Sequence, residues 1–347
     1  MNMQCFGTGS PWFTTSSVVM AVLSCLHAHG DQPWVTFRPA PEIDRGLHIV
    51  LVSGDEEYRS EEALPEFARI LAKIHGFTCT VLFAIDPESG EINPMVQTNI
   101  PGLYHLESAD LVVLFTRFRN LPEEQMRHIV EYINSGKPIF GIRTATHAFN
   151  LPADHPYHRY SFQYDGEDFN GGFGRQVLGE TWIDHHGIHG SESTRGIIAP
   201  EAREHPITNG IEDGDIWGPT DVYTVRMPLI GEDAQPLVLG QVLTGMNIED
   251  PPRDGEKNDP MMPIAWTRSY TGDSGNTAKV FTSTIGSSQD FASEGLRRLW
   301  VNAAYWLLEL EVPENADVGL VTDYEPSPFK MDWHRKGLKP GDLPGID

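Results

Sequence analysis

Apolar runs and amphipathic stretches alternate along the chain as far as Asn150. Residues 47–53 (LHIVLVS) are nearly continuously apolar, which predicts a strand buried on both faces. A polar loop, GDEEYRSEE, follows, and then Leu64, Phe67, Leu71 and Ile74 recur at helical spacing up to Gly76. Residues 77–85 and 110–116 (DLVVLFT) predict two more strands. Asn120-Leu121-Pro122-Glu123 predicts a helix start, with an N-cap and a capping-box Glu, and that helix runs to Gly136. Residues 139–142 predict a fourth strand. Strands alternating with amphipathic helices imply a parallel sheet covered on both faces, with a ligand site at the carboxyl ends of the strands.

The rhythm changes after Asn150. Residues 151–170 are rich in His, Tyr, Asp and Pro, and Gly171-Gly172-Phe173-Gly174 is flexible, so a long excursion over the site is expected. Shorter strands at 197–198, 222–225, 237–243, 264–270 and 279–285 predict an antiparallel extension of the sheet. Leu296, Leu299, Trp300, Ala303 and Leu307 mark a closing helix over 293–310. The fold expected is α/β, a three-layer sandwich with a mostly parallel central sheet and an antiparallel extension. Its domain would span 47–312, preceded by an extension at 31–46 and followed by a Pro/Gly-rich tail at 313–347 that wraps the surface.

The fourth strand runs into Gly141-Ile142-Arg143-Thr144-Ala145-Thr146-His147, the strand-turn-helix pattern of a nucleophile elbow. Arg143 stands where a nucleophile would. Arginine cannot attack a carbonyl, so the turn points to anion or sugar binding, or to an electrophilic role. Thr144 is the hydroxyl at the elbow, but no Ser-His-Asp order surrounds it. His147, one turn on, either faces the site or satisfies the turn. Asp184-His185-His186-Gly187-Ile188-His189 is the densest polar cluster. Its imidazoles suit acid/base work on a sugar, a metal held by His185, His186 and His189, or no more than a polar surface. Neighbouring His185 and His186 point oppositely on an extended chain, which weighs against both binding one metal. In the first loop, Tyr58 and Arg59 offer an aromatic face and a planar donor for hydroxyl-rich ligands, whereas Glu56 and Glu57 are as readily solvated. Arg117 and Arg119 follow the third strand onto the same edge.

A chain of 347 residues with 39% hydrophobic content supports a sizeable core. Its net charge of -24 argues against nucleic-acid binding. Three cysteines, Cys5, Cys25 and Cys79, are too scattered for a metal or disulfide framework. Residues 16–26 are apolar but shorter than the ~20 that cross a bilayer, and small residues follow. A signal peptide over 1–30 is therefore expected, and with it a periplasmic or secreted protein; the alternative is a cytoplasmic one. No other stretch could span a membrane.

Several short motifs occur in a recognisable order: His205-Pro206-Ile207-Thr208-Asn209-Gly210, Thr220-Asp221-Val222-Tyr223, Pro263-Ile264-Ala265-Trp266 and Ile285-Gly286. With the helix Leu296-Arg297-Arg298-Leu299-Trp300, they resemble the trehalose-utilisation ThuA-like family over residues 47–313. The resemblance implies a flavodoxin-related, class I glutamine amidotransferase-like fold without the Cys-His-Glu triad. It also implies a role in carbohydrate catabolism and places Asp221 and Tyr223 among the substrate contacts. A disaccharide, in native or 3-keto form, is the expected partner. Enolising a 3-keto sugar needs a base at C2, for which His147, His185 and His186 are candidates, and a cation for the enolate, for which Arg143 is. No cofactor is expected. A non-catalytic sugar-binding or scaffold protein on the same shell is the competing reading.

Overall fold

The computed structural model describes residues 32–345 and, in the N-terminal segment, Gly7. The expected signal peptide lies outside the described residues. Among the described residues ten strands form one sheet. They are β1 (Trp34–Phe37), β2 (His48–Gly54), β3 (Thr78–Phe83), β4 (Leu111–Thr116), β5 (Ile139–Ile142), β6 (Thr194–Ile198), β7 (Trp217–Gly218), β8 (Gln235–Val242), β9 (Met262–Thr271) and β10 (Thr277–Ser283). Three α-helices accompany them: α1 (Ser60–Arg69), α2 (Glu123–Ile133) and α3 (Glu294–Leu307). The sheet order is β1-β3-β2-β4-β5-β10-β9-β8-β6-β7.

Alternation along each central strand builds two cores. Ile49 and Leu51 of β2 pack with Leu64 and Phe67 of α1 and Trp300 of α3, while Val50 and Val52 pack on the opposite face with Met126 and Ile129 of α2. This is why the apolar runs are continuous rather than alternating: both faces are covered.

The sheet is not mostly parallel, contrary to the sequence expectation. β3, β2, β4, β5 and β10 pair in parallel, but β1 runs antiparallel to β3, and the β10-β9-β8-β6-β7 half is antiparallel throughout. Parallel pairing requires a crossover connection, and β9 and β10 are joined only by the tight turn at 272–276. β1, in the N-terminal extension, and β7 were not anticipated; each is four residues or fewer. Residues 222–225 form no strand, only an isolated bridge between Tyr223 and His185. The first helix passes into a wider π-helical turn at Ile70–Ile74 before Gly76. The second begins on Pro122 without a side-chain cap, so the expected Asn120 cap and capping box are absent.

The excursion at 151–178 is less a cover for the site than part of the core. Tyr160, Phe173, Val177 and Leu178 are buried on the α2 side, although Phe162 reaches the ring of His147. Among the described residues no helix is long and apolar enough to cross a membrane.

Candidate functional site

The carboxyl ends of β2, β4, β5 and β10 open onto one edge, as expected of a parallel block. At the end of β5 the elbow is a short 3-10 turn, Arg143–His147, and not the start of an α-helix. Arg143 nevertheless has a left-handed backbone, φ 45°, strained for a residue with a Cβ. Its neighbours hold it there. The guanidinium is fully buried and stacks between two tyrosines, 4.5 Å from the Tyr58 ring centroid and 3.9 Å from that of Tyr223. It donates to the Asp221 carbonyl (2.8 Å), the Thr284 carbonyl (2.7 Å), the Asp221 carboxylate (3.0 Å) and the Tyr58 hydroxyl (3.2 Å). Arg143 thus reaches the open site through Asp221 rather than directly. Burial pushes Tyr58 up to about 12, so its hydroxyl stays protonated at neutral pH.

Asp221 is the hub. Its carboxylate is almost wholly buried, with Nδ1 of His185 at 2.7 Å from one oxygen and Nδ1 of His189 at 3.1 Å from the other. Burial alone would raise its pKa, but the hydrogen bonds from His185 and His189 and the charge of Arg143 outweigh that and hold it well below the usual carboxylate range. An ionised carboxylate only accepts, so both Nδ1 atoms carry hydrogen. On its far side His189 Nε2 lies 3.2 Å from Glu57. Hydrogen bonds to Asp221 and then Glu57 lift His189 to about 9 against the opposing effect of burial, making it an imidazolium at neutral pH. The two histidine side chains are about a third exposed, at 33% and 35%, and so face the solvent side of a buried charge network.

Two loops hold Asp221 in place. The Asp290 carboxylate accepts from the Thr220 hydroxyl (2.7 Å) and the amides of Gly286 (2.9 Å) and Ser287 (2.7 Å). A Cβ on Gly218 would fall 2.0 Å from an Asp290 oxygen, so only glycine permits this approach. The first loop is organised by Asp55, which accepts from the amides of Glu57 (2.8 Å) and Tyr58 and from the Thr144 hydroxyl (2.6 Å). The elbow hydroxyl is therefore committed to a buried carboxylate.

The other candidates divide. Tyr223 covers Arg143. His186, in the bend that follows the His185–Tyr223 bridge, turns away, its Nε2 2.9 Å from the Lys257 carbonyl. It cannot join His185 on Asp221, which corrects the expected histidine grouping. His147 is buried among Phe118, Trp182 and Tyr223, and burial, with the charges of Arg117 and Arg143, holds its pKa well below the usual imidazole range. Arg117 and Arg119 both pair with Glu56, at 2.7 and 2.6 Å. Arg59 is fully buried with φ 62°, under the C-terminal tail: it donates to the Lys330 carbonyl and lies 4.8 Å from the Trp333 ring. It does not face Asp221.

A metal, were one bound, would find donors in His185, His189 and Asp221, whose ligand atoms all lie within 4.8 Å of one another. Asp221 takes the place that sequence gave to His186. Sequence reading also undervalued Glu57 and passed over Asp55 and Asp290; acidic residues in loops are so common that nothing local marked these three.

The chain matches the profile of the ThuA family, described as trehalose utilisation, over residues 49–307. No curated protein matches it. Among solved structures it is similar to a ThuA-like protein of Parabacteroides merdae, at 16% identity and TM-score 0.50, covering 82% of this chain and 97% of that one. PurLQS of Thermotoga maritima is fainter, at 13% identity and TM-score 0.38 over 75% of this chain and 99% of that one. The match over most of its length, on a sheet and motif order in agreement with it, makes this chain a member of the ThuA trehalose-utilisation family.

Proposed function

We propose that the protein is an enzyme of carbohydrate catabolism that acts on a disaccharide in its 3-keto form by imidazole acid/base chemistry. One observation carries the reading: a buried, ionised Asp221 fixes two imidazoles that are about a third exposed, and Glu57 clasps the second of them from behind. With Nδ1–H donated to Asp221, His185 keeps its Nε2 lone pair and serves as the base. It takes the proton from C2, whose bonding pair becomes the C2–C3 double bond as the ketone oxygen gains charge. The His189 imidazolium, its two N–H groups held by Asp221 and Glu57, offsets the enolate charge through space rather than by a hydrogen bond. Arg143 is a positioning residue in this scheme. Tyr58 and Tyr223 clamp it, and His147 is a neutral wall.

The test is exchange at C2. Incubation of the protein with 3-ketotrehalose in heavy water, followed by NMR, should show deuterium entering C2, and His185→Ala should abolish it. Undiminished exchange in His185→Ala, or none in the native protein with any of a panel of 3-keto disaccharides, would overturn the scheme. Thermal stabilisation by the sugars without exchange or turnover would instead leave a binding protein.

A second reading rests on Glu57. A carboxylate behind a histidine whose other nitrogen faces a shared centre is the usual support of a metal ligand. A divalent cation on His185, His189 and Asp221 would polarise the ketone as a Lewis acid. Activity lost on chelation and restored by a stoichiometric cation would favour this reading; activity indifferent to chelation would remove it.

A further inference from the structure

A groove of about 550 Å³ opens beside the histidines, lined by Trp217, Met246, Gln289, Pro326, Pro328 and Phe329 among others. Gly190, the residue after His189, forms part of its wall. Phe329 belongs to both places: its ring lies 5.5 Å from that of His189 and 5.4 Å from that of Tyr58. Three of the lining residues come from the C-terminal tail, which lies beyond the region matched by the family profile.

The tail is a fixed wall. Val321 and Thr322 donate their amides to Glu66, Ser327 donates to Glu62 (2.7 Å), Phe329 to the Gln289 side chain (3.2 Å) and Lys330 to the Glu57 carbonyl (3.0 Å). The Tyr324 hydroxyl reaches the Ser288 carbonyl at 2.8 Å. Glu57 is thus held from one side by the tail and from the other by His189.

We propose that this groove is a subsite for the second pyranose ring of a neutral disaccharide, with the tail completing it. The proposal rests on the sugar reading of the His185–His189 centre. No lining residue is charged, which disfavours a phosphorylated or acidic sugar. Trp217 and Phe329 offer apolar faces for the C–H side of a pyranose, Met246 adds to the apolar lining, and Gln289, whose oxygen accepts from the Phe329 amide, keeps its NH2 for a hydroxyl. The groove begins where the histidines end, so one ring on His185 and His189 carries its partner directly into it.

The probes are trehalose, cellobiose and methyl α-glucoside, titrated calorimetrically against the full chain. The expected result is tighter binding of at least one disaccharide than of the monosaccharide. The ratio should fall about tenfold in Trp217→Ala and in Phe329→Ala. Circular dichroism, with Phe329→Leu as a milder variant, separates subsite loss from unfolding. Equal affinity for one ring and two, or an unchanged ratio in both folded variants, overturns the subsite while leaving the histidine centre standing. No binding of any sugar, together with no exchange at C2, removes both. A groove that instead prefers alkyl or aryl glucosides over both disaccharides is an aglycone site and also overturns the proposal.

Discussion

Replacing Arg143 by Met should unsettle the site from beneath. The change keeps length and apolar stem but removes a fully buried charge that serves two carbonyls and one carboxylate. A buried ion pair broken on one side costs about 3–5 kcal/mol, because the remaining charge and acceptors cannot reach water. His185 and His189 still face Asp221, so the lower part of that range applies. At roughly 2.1 cal/mol/K of unfolding entropy per residue, a chain of this size loses about 1.4 °C of melting temperature per kcal/mol, a fall of about 4–6 °C. Thermal unfolding by far-UV circular dichroism, repeated at several scan rates, measures it. Arg143→Lys, a point charge without the planar fork, should recover only part of the loss. A midpoint within about 1 °C of the native protein in Arg143→Met would refute the idea that this ion pair organises the site.

Burial raises Glu61 to about 8, opposed by Arg59 3.8 Å away. A carboxyl held neutral in the fold favours the native state below its unfolded pKa, near 4.5, and loses that advantage as pH rises through 8. Stability measured by urea unfolding should therefore decline over that window, and more gently in Glu61→Gln. His189, lifted to about 9, contributes fully below pH 6.5 and progressively less up to 9. In chelator-treated protein its NMR titration should move toward neutrality in Glu57→Gln; an unmoved midpoint would deny Glu57 its part. Gly218→Ala drives a methyl to 2.0 Å from Asp290, and should cost about 1–3 kcal/mol and displace the loop bearing Asp221. Calorimetry together with sugar affinity would show both effects or neither.

Much of the parallel half was legible because its evidence is local. The runs that became β2, β4 and β5 are apolar on both faces, and the stretches between them carry helical spacing; both patterns follow from residues a few places apart. Where local cues compete, reading failed. Asn120 looked like a cap, yet the helix starts after Pro122, and β1 is four residues in a segment with no partner visible nearby. The antiparallel second half was expected from its short strands and is found, but its share of the whole sheet was set by strand pairing, which no single strand displays.

The candidate site divides in the same way. Sequence by itself determined that the elbow carries Arg143 and no nucleophile, and that His185 and His186 could not share one side of an extended chain. Only the tertiary structure decided which of them meets Asp221, 36 residues away, that His189 joins it, and that Glu57 from the first loop closes behind. The tail shows this most plainly. Its Pro/Gly-rich sequence announces a surface strap, but Phe329 stands against His189 because Glu62, Glu66 and Gln289 tie the backbone there. Hydrophobic rhythm is written along the chain; a buried charge network is satisfied only by groups that folding brings within about 3 Å of one another, and nothing in their spacing foretells it.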